Sequence, residues 1–281
     1  MTGYRLATNG LSDVRSAVSV ETSLDWVLRV GAFMCFVGHG AFGIMTKEAW
    51  LPLFAVAGIG PVLAYKLMPV IGTVDILLGT LALIRPRAAL VAYMTLWAIW
   101  TAALRPLSGL PVWEMLERGG NYGVPFALLL SSEVSRAPRA WFRGLRPRTM
   151  TPELAGRLRI ALSVTTALLL IGHGALSLQG KNEIVAHYAL ILPAAGSAAF
   201  ALGWAEIAIA GLVLVRPTIG LCLFIALWKL ATESLFIAAG APIWEWIERG
   251  GSYTAPLALA LILLYSNKTK RPKFADVTNG E

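Results

Sequence analysis

Eight long apolar runs constrain this chain more than any other feature. Its residues are 57% hydrophobic and only 14% charged, whereas roughly a quarter of the residues are charged in an ordinary soluble domain. Most of the runs approach the ~20 residues that a helix needs to cross a bilayer. The runs are residues 26–45, 62–84, 88–107, 123–132, 159–178, 194–215, 218–238 and 254–266. The sequence therefore predicts an all-α integral membrane protein with eight transmembrane helices.

The second half of the chain repeats the first. The segment WEMLERGGNY, which begins at Trp113, returns as WEWIERGGSY at Trp244, an offset of 131 residues. From the second apolar run onward the halves align at this offset without a gap. Because each half has an even number of spans, both halves have the same orientation in the membrane. The predicted fold is two parallel four-helix repeats, each with a short helix at the outer interface.

Charge predicts the organisation and topology. The net charge is +8, and the positive-inside rule places basic segments in the cytoplasm. The predicted segments are a cytoplasmic N-terminal segment (1–23), a first repeat (24–131), a basic cytoplasmic linker (132–157), a second repeat (158–266) and a cytoplasmic tail (267–281). We expect a multi-pass protein of the bacterial cytoplasmic (inner) membrane. The linker lacks the interleaved aromatic residues of a nucleic-acid site, so anionic lipid is its expected partner.

Four ionisable side chains within the apolar runs are candidate cofactor-binding residues, since such groups are costly in a bilayer. His39 and His173 lie in Gly-His-Gly motifs at matching positions. They would either ligate a shared metal or haem iron between the halves, or lie at tight helix crossings and hydrogen-bond a neighbour. Asp75 and Glu206 would accept protons beside a quinone-like headgroup, fix the histidine tautomers, or belong to a structural polar network.

The two halves differ at a few polar positions. Only the second half has Lys229 and Glu233, which are four residues apart and so share a helix face; the first half has alanines there. Arg105 of the first half corresponds to Phe236 of the second. This asymmetry indicates that at most one half retains a specialised site.

The duplicated Trp-Glu segments are candidate docking surfaces. Their charged residues are kept in both copies while neighbouring apolar residues differ. Glu-Arg pairs four residues apart would leave Glu117 and Glu248 free, and the helices would form a docking platform or the lip of a vestibule. Alternatively, the helices would only connect spans at the interface. The docking candidates are Trp113, Glu114, Glu117, Arg118, Trp244, Glu245, Glu248 and Arg249.

These motifs resemble the DoxX family of four-helix membrane proteins, here in tandem. The similarity is carried by Gly38-His39-Gly40 followed by Lys47, the stretch from Pro52 to Gly60, and Asp75-x-x-x-Gly79, with weaker counterparts in the second half. The resemblance implies an accessory subunit of a membrane oxidoreductase or electron-transfer complex, such as thiosulfate:quinone oxidoreductase. It also implies contact with other subunits and with quinone or haem, and no catalysis by this chain alone.

Other functions remain open on the sequence. Parallel repeats with charges near the bilayer midplane also describe small-solute transporters, and a structural subunit of a photosynthetic or respiratory assembly is a further alternative. There is no phosphate-binding loop, dinucleotide fingerprint or Cys-x-x-Cys motif. The two cysteines, Cys35 and Cys222, both lie in apolar runs, so we expect buried thiols and no disulfide.

Overall fold

The computed structural model describes residues 19–270, and this part of the chain is helical without β-strands. Six of its helices are long and apolar enough to cross a membrane, so this is a multi-pass helical membrane protein. They are α1 (Val20–Ile44), α3 (Pro61–Ile84), α4 (Ala88–Leu107), α7 (Pro152–Leu178), α9 (Ala195–Val215) and α10 (Ile219–Ala238). Residues 1–18 and 271–281, which include most of the predicted N-terminal segment and tail, lie outside the described residues.

The remaining helices give the chain a repeating order. Each half has a long helix, a short one, two long ones, a short one and a final helix. The final helices differ from the predicted spans: the 12 residues of the first rise ~18 Å, too short for a ~30 Å hydrocarbon layer. The second has 21 residues but begins with the polar stretch Gly-Gly-Ser-Tyr-Thr. These helices are α2 (Leu51–Val56), α5 (Trp113–Glu117), α6 (Gly119–Leu130), α8 (Asn182–Ala189), α11 (Ile243–Glu248) and α12 (Gly250–Lys270).

Capping residues set where α1 and α7 begin. The Ser19 side chain accepts a hydrogen bond from the Thr22 amide and starts α1. Thr151 accepts one from the Leu154 amide, and Pro152 occupies the first turn of α7. Consequently α7 starts inside the predicted linker, before the apolar run that begins at residue 159.

Helices α1, α6, α7 and α12 form the centre of the molecule. Leu28, Leu128, Leu158 and Leu259 come one from each of these helices and are fully buried in one core. Of the 18 consecutive residues that are most apolar in each helix, 72% are buried in α7, but only 28% are buried in α3 and 28% in α9. Helices α3 and α9 pack against α1 and α7 respectively, and they turn their other faces outward, where apolar side chains contact lipid.

The linker closes one end of the bundle. The Leu145 amide donates to the Pro86 carbonyl in the α3–α4 turn at 2.8 Å. The Met150 amide donates to Glu21 near the start of α1, and the Tyr265 hydroxyl near the end of α12 donates to the Met150 carbonyl. Segments that the charge pattern assigned to one side of the membrane therefore lie together.

Candidate functional site

The first glycine of each Gly-His-Gly motif receives the duplicated Trp-Glu helix of the other half. A Cβ at Gly38 would overlap the backbone of Glu248, and one at Gly172 would overlap the backbone of Glu117. Helix α11 thus packs on α1, and α5 packs on α7. The two halves are joined by this exchange, and the α6 and α12 backbones also touch where Gly120 meets Gly251.

This packing corrects the predicted position of the Trp-Glu helices. Gly172 is six residues from the end of α7, so Glu117 lies ~9 Å inside the helix end. The expected Glu114–Arg118 and Glu245–Arg249 pairs form, at 3.0 and 2.6 Å. However, Glu117 and Glu248 are not free, because both are enclosed between the halves. Glu117 also lies 3.3 Å from Arg118. None of the eight docking candidates is fully exposed.

Each histidine is joined to the acid of its own half. The Nδ1 atom of His39 lies 2.8 Å from Asp75 Oδ2, and Nδ1 of His173 lies 2.5 Å from Glu206 Oε2. The carboxylate fixes the orientation of each ring and leaves Nε2 as the nitrogen available to a ligand. The His39 ring also stacks on Trp50, with centroids 4.5 Å apart.

In the second half this pair belongs to a buried ionic network. The Trp228 indole N–H donates to Glu206 Oε1 at 2.9 Å. The Nζ atom of Lys229, a side chain only 1% exposed, lies 3.7 Å from Glu206 and 2.8 Å from Glu233. Glu233 in turn lies 2.8 Å from Arg249 Nε. The expected Lys229–Glu233 pair is therefore confirmed, and each charge in the network has an opposite charge beside it.

The first half keeps the histidine and the tryptophan but not the network. Trp97 corresponds to Trp228, and its buried indole Nε1 has no hydrogen-bond partner in the structure. Asp75 is one methylene shorter than Glu206, and it is bonded through Oδ2 to His39. Alanine replaces Lys229 at position 98. The first-half site therefore offers an unused donor.

A cavity of about 150 Å³ is lined in part by Trp97. His39, Trp97 and Thr101 form its polar part, and Trp50 and Trp100 contribute aromatic walls. Arg105 of α4 is also part of the lining. The remaining lining residues are apolar and come from α2, α3, α4 and the loop between α2 and α3. The cavity thus suits a flat, largely apolar group that carries a hydrogen-bond acceptor.

A larger cavity of about 600 Å³, which we call the vestibule, lies between the halves at the end opposite the linker. Two ion pairs cross between the halves there: Lys47 with Glu245 and Lys181 with Glu114, both at 2.7 Å. The full lining is Lys47, Ala49, Trp50, Pro52, Leu53, Arg105, Ser108, Leu110, Glu114, Arg118, Lys181, Glu183, His187, Phe236, Ala241, Glu245 and Arg249. Four of the docking candidates thus form a vestibule wall.

Two vestibule groups outside the spans have shifted pKa values. Burial lowers the pKa of His187 below that of a free histidine, and the positive charge of Arg249 lowers it further. Burial alone would lower the pKa of Lys181, but the carboxylates of Glu117 and Glu114 outweigh it and raise the pKa. Near neutral pH His187 is therefore mainly neutral, and Lys181 is charged.

The sequence also predicted a metal or haem site shared by His39 and His173. Within residues 19–270, no group of three or more His, Cys, Asp and Glu side chains is placed to hold a metal ion. Ligation by His39 and His173 stays a prediction. Cys35 and Cys222 are buried free thiols, as expected.

Trp97 and Trp50 were not among the candidate residues predicted from the sequence. The repeat offset pairs Trp97 with Trp228, but only coordinates show that one indole is bonded and the other is not. In comparisons with protein-family models, curated proteins and solved structures, nothing matches this chain.

Proposed function

We propose that the first half binds the headgroup of a membrane quinone in the cavity beside His39. The protein would then serve as an integral subunit of a membrane oxidoreductase or electron-transfer complex. The observation that carries this proposal is a cavity with aromatic walls that is lined by His39 and by Trp97, whose buried indole N–H has no hydrogen-bond partner in the structure. A buried donor without a partner is costly, and a quinone carbonyl oxygen would satisfy it.

The hydrogen-bonded pair of His39 and Asp75 could accept a proton during quinol oxidation. When Nδ1 of His39 donates to Asp75, Nε2 is a hydrogen-bond acceptor. A quinol hydroxyl can donate a hydrogen bond to it, and the imidazole can take that one proton. Full oxidation of the quinol would send the second proton to water and both electrons to a redox centre of a partner subunit. Asp75 stabilises the imidazolium that forms.

The second half is suited to support this site rather than to duplicate it. Its tryptophan N–H is bonded to Glu206, and Lys229 is held between Glu206 and Glu233. A quinone there would have to compete with the Trp228–Glu206 hydrogen bond and with these ion pairs. The proposed complex therefore holds one quinone site per chain.

We also propose a span count, a family and a membrane topology for the whole chain. The chain is a tandem duplication with eight spans and is related to the DoxX family. The fourth span consists of α5 and α6 together, because α6 is too short alone, and the eighth is α12. The clustering of the linker with the start of α1 and the end of α12 supports a cytoplasmic location for this end in a bacterial inner membrane. Thiol labelling of a Ser135→Cys variant from the periplasmic side of intact cells would contradict this topology.

The quinone site is tested by titrating the purified protein with a short-chain benzoquinone and following tryptophan fluorescence. Trp97→Phe keeps the ring but removes the N–H, so we expect affinity to fall by about 5- to 30-fold, equivalent to the ~1–2 kcal/mol of one buried hydrogen bond. Trp228→Phe is the matched control. It should bind quinone like the unaltered protein but melt at a lower temperature, because a Glu206 oxygen loses its donor. Equal quinone affinity in all three proteins would refute the proposal.

A further inference from the structure

Arg105 is a buried cation without a carboxylate of its own. Its side chain is 6% exposed, and its Nη1 donates to the Thr101 carbonyl one turn earlier. Among the residues that the structure describes, no carboxylate lies within ion-pair distance of this guanidinium. A buried charge normally has an opposite charge beside it. Arg105 lines the vestibule, so the missing negative charge can arrive there from solution.

The other vestibule charges do not supply it. Glu114 is held by Arg118 and Lys181, while Glu245 is held by Arg249 and Lys47. The third carboxylate of the lining, Glu183, is largely exposed beside Lys181. Glu117 and Glu233, which lie outside the lining, also pair with Arg118 and Arg249. Of the three guanidinium groups in the vestibule lining, Arg105 is therefore the one without an ion pair to a described residue.

The repeat shows that this charge is specific to one half. The position of Arg105 is taken in the second half by Phe236, whose ring lies under the Arg249 guanidinium at 3.9 Å. Arg249 also pairs with Glu233, whereas in the first half the position of Glu233 is occupied by Ala102. At the position of Arg105 the second half therefore has an uncharged ring, and the first half has a guanidinium without an ion pair in the described part of the chain.

We infer that the vestibule binds a small organic carboxylate, with its anionic group on Arg105. Guanidinium and carboxylate are both planar and match in a bidentate geometry. The volume of about 600 Å³ exceeds what a bare inorganic ion needs. Trp50, Leu53 and Phe236 provide apolar surface for the rest of the molecule. Arg105, Trp50 and Leu53 also line the His39 cavity, but the inference rests on the charge of Arg105 and not on quinone binding.

The test compares three probes on the detergent-solubilised full chain by isothermal titration calorimetry: benzoate, its neutral isostere benzamide, and sulfate. We expect benzoate to bind at least about tenfold more tightly than benzamide, since a charge-assisted contact is worth ~1.5–3 kcal/mol. Sulfate should bind more weakly than benzoate because it leaves the apolar wall uncovered. Benzamide binding equal to benzoate would overturn the role of the charge, and sulfate binding at least as tight would overturn the organic ligand.

Variants then assign the contact. Arg105→Gln should lose about tenfold or more in benzoate affinity, and Arg105→Lys, which retains the charge without the planar fork, should lose less. Arg85→Gln is the control, since Arg85 is exposed in the α3–α4 turn at the linker end. If Arg105→Gln does not fold, Arg105→Lys and the three-probe comparison still decide the matter. Unchanged benzoate affinity in a folded Arg105 variant would refute the site.

Discussion

Removing the charge of Lys229 should destabilise the protein strongly. The side chain is 1% exposed, and its Nζ lies between Glu206 and Glu233. Lys229→Met keeps the approximate length of the side chain but leaves the two buried carboxylates without the cation between them. Breaking a buried ion pair by removing one partner costs about 3–5 kcal/mol, so we expect a loss of that size in the free energy of unfolding.

A second substitution tests the cause of this loss. Lys229→Met combined with Glu233→Gln removes one charge of each sign, while Glu206 keeps His173 and Trp228, and Arg249 keeps Glu245. The double variant should be more stable than Lys229→Met alone, with a coupling of about 1–3 kcal/mol. Reversible unfolding in mixed micelles measures each variant, and Leu227→Met on the exposed face of α10 is the control. Additive losses, or a double variant less stable than Lys229→Met, would refute the reasoning.

Three further predictions concern packing, a buried acid and pH. Gly172→Ala should lower the melting temperature because the added methyl group overlaps the Glu117 backbone, whereas Gly211→Ala has open space in α9 and should be neutral or slightly stabilising. Glu117→Gln should cost about 1–3 kcal/mol in unfolding free energy, rather than being silent as an exposed residue would be. The folded pKa of His187 is lowered, so its contribution to stability is present above its unfolded pKa and is lost as pH falls through the folded pKa. His187→Gln should therefore flatten stability between about pH 7 and 5.

Periodicity and composition were enough to predict the long helices. The predicted run 88–107 coincides with α4, and 62–84 differs from α3 by one residue. Apolar length is a local property, so the sequence shows it directly. The start of α7 was missed because a Thr-Pro cap in a basic segment outweighed the composition of the linker.

The sequence predicted individual residues of the candidate site but not how they are arranged. The sequence identified His39, Asp75 and their counterparts, and the spacing of Lys229 and Glu233 predicted their pair. It could not show that the Trp-Glu helices are exchanged between the halves, since that depends on which backbone meets Gly38 and Gly172. For the same reason it misplaced Glu117 at a free outer surface.

The unequal use of equivalent residues was also beyond the sequence. Trp97 and Trp228 are identical and aligned, yet the difference of one methylene between Asp75 and Glu206 accompanies a free indole N–H in one half and a bonded one in the other. Such differences depend on distances of about one carbon bond, which a repeat alignment does not resolve.

The proposed function depends on one quinone site in the first half, and photolabelling tests for this site most directly. A short-chain azidobenzoquinone is irradiated with the purified protein, and the labelled residues are mapped by mass spectrometry. We predict adducts among the residues lining the His39 cavity, such as Phe54, Leu67 and Trp100, with competition by unlabelled quinone and weaker labelling in Trp97→Phe. Equal labelling of the matching surface of the second half, or labelling that unlabelled quinone does not reduce, would contradict the account.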